Sequence, residues 1–406
     1  MNRVPKPLAW TFAGIVLVLI AVATLLPAGA RYAVDTWACI VCGERGLADA
    51  LANVVLFAPL GASVALAGVP WRRATLVAGA LLSCLIELTQ FGIPGRDPSI
   101  GDVLSNTAGV AGGVLLVVTA GQWLRPDPAR ARILACVWTA GAAGVAWATV
   151  LLLQPSFPKS IYYNQWTPDL GHLEWYRGRV HGAWVGSLPL PVGRTAHSDG
   201  LRAELERHSP IIVRATGGPP VPALASLFSI YDDQQREVLL VGPDRDDLVY
   251  RFRSRATALR LDSPDLRARG LLRGIRPGDS LNVAVSWEGD DACLSANGRH
   301  ACGLSTGASA GWSLLFYSGH FPAWLVALLN AVWAVALAAP TAYWSPGKRT
   351  TAALGGILVL TVLGASAYGG APSTSDAVLI AVGLGIGALA AMALRGRSQL
   401  TGPQPD

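Results

Sequence analysis

Charge is scarce in this 406-residue chain: 14% of its residues are Asp, Glu, Lys or Arg, where a soluble domain carries about 25%. With 52% hydrophobic residues as well, the shortage excludes a wholly water-soluble fold, because no core could hide so much apolar surface. Histidine is sparse and scattered. His172, His181, His197, His208, His300 and His320 never fall in an H-E-x-x-H spacing. These histidines read as surface or hydrogen-bonded side chains. No metal site and no cofactor are expected. There is no internal repeat, no long low-complexity tract and no basic face for a nucleic acid.

What is present is a set of long apolar runs. A helix needs about 20 apolar residues to cross the hydrocarbon layer. Eight segments meet that need: Leu8–Leu26, Leu51–Ala67, Ala74–Phe91, Val103–Trp123, Ile133–Leu153, Pro322–Tyr343, Thr351–Ala367 and Ala377–Leu394. The net charge of +6 is uneven. Residues 154–320 hold 18 basic and 17 acidic residues, leaving 14 basic and 9 acidic for the apolar parts. Alternate loops are basic: Arg3/Lys6, Arg72/Arg73, Arg125/Arg130/Arg132, Lys348/Arg349 and Arg395/Arg397. The opposite loops hold only Arg31, Arg45 and Arg96 outside the large middle segment. The positive-inside rule then places both termini in the cytoplasm and exports residues 154–320 across the membrane. The alternative for the first segment is a cleaved signal peptide ending near Ala28-Gly29-Ala30.

The expected organisation is a transmembrane domain (1–125), a fifth helix with its linker (126–153), an exported β domain (154–320), a three-helix segment (321–398) and a tail (399–406). In the β domain, short runs alternate with turn residues: Ile211–Ala215, Ala225–Tyr231, Glu237–Val241, Leu248–Arg253, Ser280–Trp287, Ala292–Ser295 and Trp312–Tyr317. Separators such as Pro277-Gly278-Asp279 and Asn297-Gly298 are turn signals. The fold class is therefore an α-helical polytopic bundle with an all-β sandwich or jelly roll. Cys84 and Cys136 lie in apolar runs and read as packing residues. Cys39 and Cys42 give too few ligands for zinc. Cys293 and Cys302 are a candidate disulfide stapling two short strands, provided the compartment is oxidising.

The most informative stretch is Ser83–Gly113. Ser83, Glu87 and Gln90 share one helix face; Asp102, Asn106, Gly109 and Gly113 share a face of the next helix, across a short turn with Arg96 and Asp97 at its tip. An ionisable Glu87 inside an apolar run costs about 2.5 kcal/mol or more at mid-membrane, unless it is paired, hydrated or protonated. Arg96 is the expected counter-charge, with Gln90 and Asn106 as hydrogen-bond partners. Asn53 opens the preceding helix at the same level, so an outward polar pocket is expected from Asn53, Glu87, Gln90, Arg96, Asp97, Asp102 and Asn106. The alternative is that these groups only glue the helices, as Gly109 and Gly113 do by close packing.

The set Asn53-x3-Phe57-x-Pro59-Leu60-Gly61, Glu87-x2-Gln90, Arg96-Asp97-x4-Asp102 and Asn106-x2-Gly109 resembles the VanZ-like membrane family over about the first 125 residues. That family is named for an accessory factor linked to low-level glycopeptide-antibiotic resistance, and the resemblance implies a cell-envelope role without naming a reaction. The later helices and the large β domain depart from the family's short bundle. In the β domain, Gly278–Gly289 followed by Ala292–Gly298 resembles the late strands of concanavalin-A-like and laminin-G-like jelly rolls. The resemblance implies lectins, adhesive modules or glycanases, and fold alone does not choose among them.

A glycanase needs two carboxylates about 5–10 Å apart. The acids cluster at turns instead, as Asp232-Asp233, Asp244/Asp246/Asp247 and Asp290-Asp291, where calcium binding is the alternative to plain solvation. Trp166, Trp175, Tyr176 and Trp184 are either sugar-stacking or core residues. Three readings follow. The first is an envelope protein that binds a glycan, peptidoglycan or lipid-linked ligand and contacts membrane lipid. The second is a membrane enzyme, with Glu87 or Asp102 as catalytic base and Arg96 as an anion clamp. The third is a transporter. Binding is preferred.

Overall fold

Backbone in hydrocarbon has to satisfy its own hydrogen bonds, so long apolar runs become helices. The computed structural model describes residues 5–27, 38–68, 73–171, 173–289, 291–368 and 374–400. Within them the apolar helices are α1 (Lys6–Leu25), α2 (Gly46–Leu66), α3 (Arg73–Gln90), α4 (Ile100–Val118), the single turn α5 (Ala120–Leu124) and α6 (Pro128–Leu153). A short helix, α7 (Ser198–Glu206), lies in the β region, and α8 (Ala323–Trp344), α9 (Lys348–Tyr368) and α10 (Thr374–Leu400) follow it. Seven of them (α1, α2, α4, α6, α8, α9 and α10) are long and apolar enough to cross a membrane, and α3 contributes the shorter apolar stretch Thr75–Gln90. The chain is a multi-pass membrane protein. Ala28, Gly29, Ala30, Arg3, Arg31, Arg72, His172 and Asp290 lie outside the described residues.

The chain forms two compact units. The first comprises residues 1–135 together with Ala258–Asp262 and Trp344–Pro346. Its core is Val16 and Ile20 of α1, Phe57 and Leu60 of α2, Ile86 of α3 and Val110 of α4. Helices α2 and α4 touch backbone to backbone. A Cβ on Gly113 would overlap the carbonyl of Ala58, one on Gly61 would overlap that of Val110, and one on Gly109 would lie 3.0 Å from Phe57 Cβ. On α3, Leu81, Leu85 and Leu88 are exposed on one face while Ser83, Glu87 and Gln90 are buried on another. That is the division expected of a helix with one side to lipid.

The second unit holds a β-sandwich with most of α6 and helices α8–α10. Its membrane part packs Ala142, Ala146 and Val150 of α6 against Ala334 and Ala338 of α8, Leu358 and Val362 of α9, and Ile380 of α10. The strands are β1 (Tyr163–Trp166), β2 (Arg179–Val185), β3 (Leu188–Pro189), β4 (Gly193–Arg194), β5 (Ile211–Thr216), β6 (Phe228–Tyr231), β7 (Glu237–Asp244), β8 (Asp247–Phe252), β9 (Asp265–Ala268), β10 (Ser280–Glu288), β11 (Asp291–Ala296) and β12 (Arg299–Leu304). They form two six-stranded antiparallel sheets, ordered β4-β1-β6-β7-β8-β9 and β12-β11-β10-β5-β2-β3. Inward side chains such as Val213, Phe228, Leu239, Tyr250, Val283 and Leu294 make one core. The middle of the first sheet is buried on both faces, because Leu173 and Leu224 cover Leu240 and Val249. Asn297 and Gly298, at φ 47° and 81°, make the two-residue turn from β11 to β12. Cys293 and Cys302 are disulfide-bonded across that hairpin, and Cys39 is bonded to Cys42.

One expected strand is absent. Residues 312–317 do not join either sheet; Ala308–Leu314 is a 3-10 turn. Its aromatic residue is drawn instead to the membrane part, where Trp312 Nε1 donates to Asn330 Oδ1 of α8 at 2.7 Å.

Candidate functional site

Ser99 organises the mouth of the first unit. Its extended backbone (φ −142°) makes it the N-cap of α4, and its Oγ accepts from the Asp102 backbone N–H at 3.1 Å. The same hydroxyl donates to Asp102 Oδ2 at 2.8 Å, while Asn53 Nδ2 donates to Asp102 Oδ1 at 2.6 Å. The backbone N–H of Ser99 donates to Glu87 Oε2 at 3.0 Å. Asn53 of α2, Glu87 of α3 and Asp102 of α4 are thereby joined through one cap. Hydrogen bonds to charged groups contribute about 1.5–3 kcal/mol each.

The expected partners of Glu87 are elsewhere. Arg96 is not its counter-charge: Arg96 Nε donates to Leu26 O at 3.0 Å and Nη2 to Ala23 O at 2.6 Å. Gln90 Nε2 donates to Thr24 O at 2.9 Å. The last carbonyls of a helix lack intrahelical donors and carry partial negative charge. The end of α1 therefore competes for both side chains and takes them. Asn106 lies deeper, where its Nδ2 donates to Ser83 Oγ at 2.9 Å and its buried Oδ1 has no partner among the described residues.

A cavity of about 320 Å³ opens beside this network, lined by Glu44, Arg45, Asp49, Asp97, Ser99 and Asp102 among others. Glu87, Gln90, Arg96 and Asn106 are not in its wall. The structure thus brings Asn53, Glu87 and Asp102 together, adds Asp97 and Asp102 to a cavity, and turns Gln90 and Arg96 to another task. Cys42 also lines the cavity. The Cys39–Cys42 loop is seated on α4, since Gly101 N–H donates to Cys39 O at 3.1 Å and a Cβ at Gly101 would overlap the Ile40 carbonyl. Across the mouth, Arg45 pairs with Asp262 at 2.8 Å, and Arg260 O accepts from Ala48 N–H at 3.2 Å in the first turn of α2.

Ser99 and Asp49 were not singled out in the sequence. Ser99-Ile-Gly-Asp102 is nonetheless a capping signature, S-x-x-[DE], ahead of an apolar run. A further overlooked acid is Asp376 at the start of α10. It is 3% exposed and accepts from Ser309 N–H at 3.4 Å.

In the sandwich, all four aromatic candidates have a neighbour. Trp166 Nε1 donates to Leu190 O, Tyr176 is buried with its hydroxyl accepting from Gly218 N–H, and the Arg214 guanidinium covers Trp184 at 5.2 Å. Trp175 is 52% exposed, with Arg177 over its ring at 5.6 Å. Most turn acids are held by arginines. Asp232 is gripped by Arg236 and Arg253, and Arg267 pairs with Asp244, Asp247 and Asp265. Burial alone would push the Asp232 carboxyl up; the hydrogen bonds and charge of Arg236 win and hold it below the usual value.

Residues 13–121 match the family model described as VanZ/LLP1. The match spans α1–α4 and covers Asn53, Glu87, Ser99 and Asp102. No curated protein and no solved structure matches the chain. A VanZ-like domain is thus joined in one membrane protein to a β-sandwich.

Proposed function

We propose that this chain is a cell-envelope binding protein of the bacterial cytoplasmic membrane. In this reading both termini are cytoplasmic, and the exported β-sandwich, residues 154–320, captures a glycan or another envelope ligand on a concanavalin-A-like or laminin-G-like jelly roll. The VanZ-like domain then holds part of an envelope lipid or lipid-linked ligand at its outward mouth.

One observation carries the reading: the cavity of about 320 Å³ has Asp102 in its wall, locked from behind by Asn53 and Ser99. A side chain fixed on both oxygens is preorganised rather than adaptable, which suits recognition. The wall offers the carboxyl groups of Glu44, Asp49, Asp97 and Asp102 against the one guanidinium of Arg45. Acceptors in such excess fit a ligand that brings N–H donors, such as the amine of a lipid headgroup or of a cell-wall peptide. The catalytic alternative loses its anion clamp, because Arg96 is bound to the end of α1. On the sandwich, Trp175 is the most exposed of the four aromatic candidates and offers ring surface to a sugar beside the Arg177 guanidinium.

The test uses the full-length protein in lipid nanodiscs. Peptidoglycan pull-down should retain it, and Trp175→Ala should weaken retention by tenfold or more. Retention of an aminated lipid should fall similarly with Asp102→Ala. Unchanged retention in both folded variants rejects the reading.

A further inference from the structure

A second cavity, of about 80 Å³, lies in the unit that holds the sandwich. Tyr250 and Phe252 of β8 line it from one sheet; Trp287 of β10 and Leu304 of β12 line it from the other. Its floor is Val150 and Leu153, the last turn of the membrane-spanning helix α6. The cavity therefore sits at the level where α6 leaves the bilayer, whichever side of the membrane the sandwich occupies.

Its size and lining restrict what can enter. A water needs about 10–15 Å³ in such a space, so there is room for roughly half a dozen water-sized groups. Pockets for drug-sized ligands run to about 300 Å³ or more, so a whole sugar unit with its hydroxyls is too large. The walls combine rings and aliphatic chains, which favour hydrocarbon, with the polar groups of Gln154, Ser305 and Thr306, which suit an ester. One feature points to an oxygen as well. Tyr250 is 2% exposed and lines the cavity, and its hydroxyl is not among the fully enclosed polar atoms that lack a partner, so it is open to whatever the cavity holds. Burial pushes this phenol up, so it stays a neutral donor. His208, at φ 57°, stacks on Trp287 at 5.2 Å and walls off one side.

We propose that this cavity takes the acyl-ester segment of a membrane lipid, with its first methylenes against Phe252, Trp287 and Leu304 and its ester carbonyl accepting from the Tyr250 hydroxyl. The site would tie the end of the sandwich to the bilayer surface. Its residues all belong to the second unit, and it does not depend on the reading given to the mouth of the VanZ-like domain.

The experiment uses the full chain in nanodiscs containing a phosphatidylcholine with a diazirine beside one ester. After irradiation, peptides carrying the label are mapped by mass spectrometry. Label is expected on the β8, β10 and β12 peptides as well as on the lipid-facing helices, which serve as an internal standard. Tyr250→Phe keeps the volume and should lower sandwich labelling several-fold relative to the helices. Leu304→Trp fills the cavity from a partly exposed position and should abolish it. Label confined to the helices of the native protein overturns the proposal. So does undiminished sandwich label in either variant when its melting temperature is native.

Discussion

Ser99 and Asp102 bind each other twice. The Asp102 backbone N–H donates to the serine hydroxyl, and that hydroxyl donates back to Asp102 Oδ2. The same residue's N–H holds Glu87, so one short cap fixes two carboxyl groups from two helices. Ser99→Ala removes both hydroxyl contacts but keeps the backbone donor to Glu87. Loss of an N-cap costs about 1 kcal/mol, within a range of about 0.5–2. Denaturation in detergent micelles should show a loss in that range. Asn53→Ala, which frees the other oxygen of Asp102, should couple with it non-additively in a double-mutant cycle.

Two neighbouring glycines of α4 should respond in opposite directions. Gly113 faces Ala58 with no room for a side chain, whereas nothing lies within 4 Å of a Cβ at Gly112. Gly113→Val should cost about 1–3 kcal/mol through overpacking. Gly112→Ala should be neutral or stabilising by up to about 1 kcal/mol, because alanine favours the helix. Thermal unfolding monitored by size-exclusion chromatography separates the two.

The Cys293–Cys302 bond closes a loop of nine residues in sequence separation. Chain entropy assigns a loop of that size about 2–3 kcal/mol. The Cys293→Ser/Cys302→Ser protein should therefore unfold its sandwich at lower denaturant concentration, and a reductant that shifts the native midpoint should leave the variant's midpoint in place.

Asp232 gives the pH dependence a sign. Its folded value lies below the ordinary 3.8, so the stability it contributes is complete above that pH and is lost as pH falls through the folded value. Asp232→Asn should accordingly be less stable than the native protein at neutral pH, and the gap should close as both are acidified below about pH 4. A gap that stays constant with pH would show that the carboxylate's charge is not what Arg236 and Arg253 recognise.

The seven spanning helices were legible because lipid imposes one simple rule on composition, and the central strands because their alternation or apolar density is strong. The failures are instructive in their physics. Arg96 was given to Glu87 because two opposite charges are visible in a sequence, whereas the free carbonyls of a helix end are not. Ser99 stands in a legible capping signature, but a cap signal within one helix carries no sign that its backbone N–H also meets Glu87 of the preceding helix. α7 was missed because its inward side is only Leu201 and Leu205, a single pair four residues apart. Trp312 was assigned to a strand because an aromatic run carries no sign of whether its partner is a sheet or the Asn330 side chain of a membrane helix.

The five residues Ala258–Asp262 come from the middle of the chain but complete the first turn of α2, where Arg260 supplies a carbonyl and Asp262 an ion pair. Excising the β region as a cassette would therefore not leave an intact VanZ-like remainder. Genetic dissection calls for a graft that retains this pentapeptide as a tether, or for point changes in the sandwich that spare it; a bare deletion would confound the two halves.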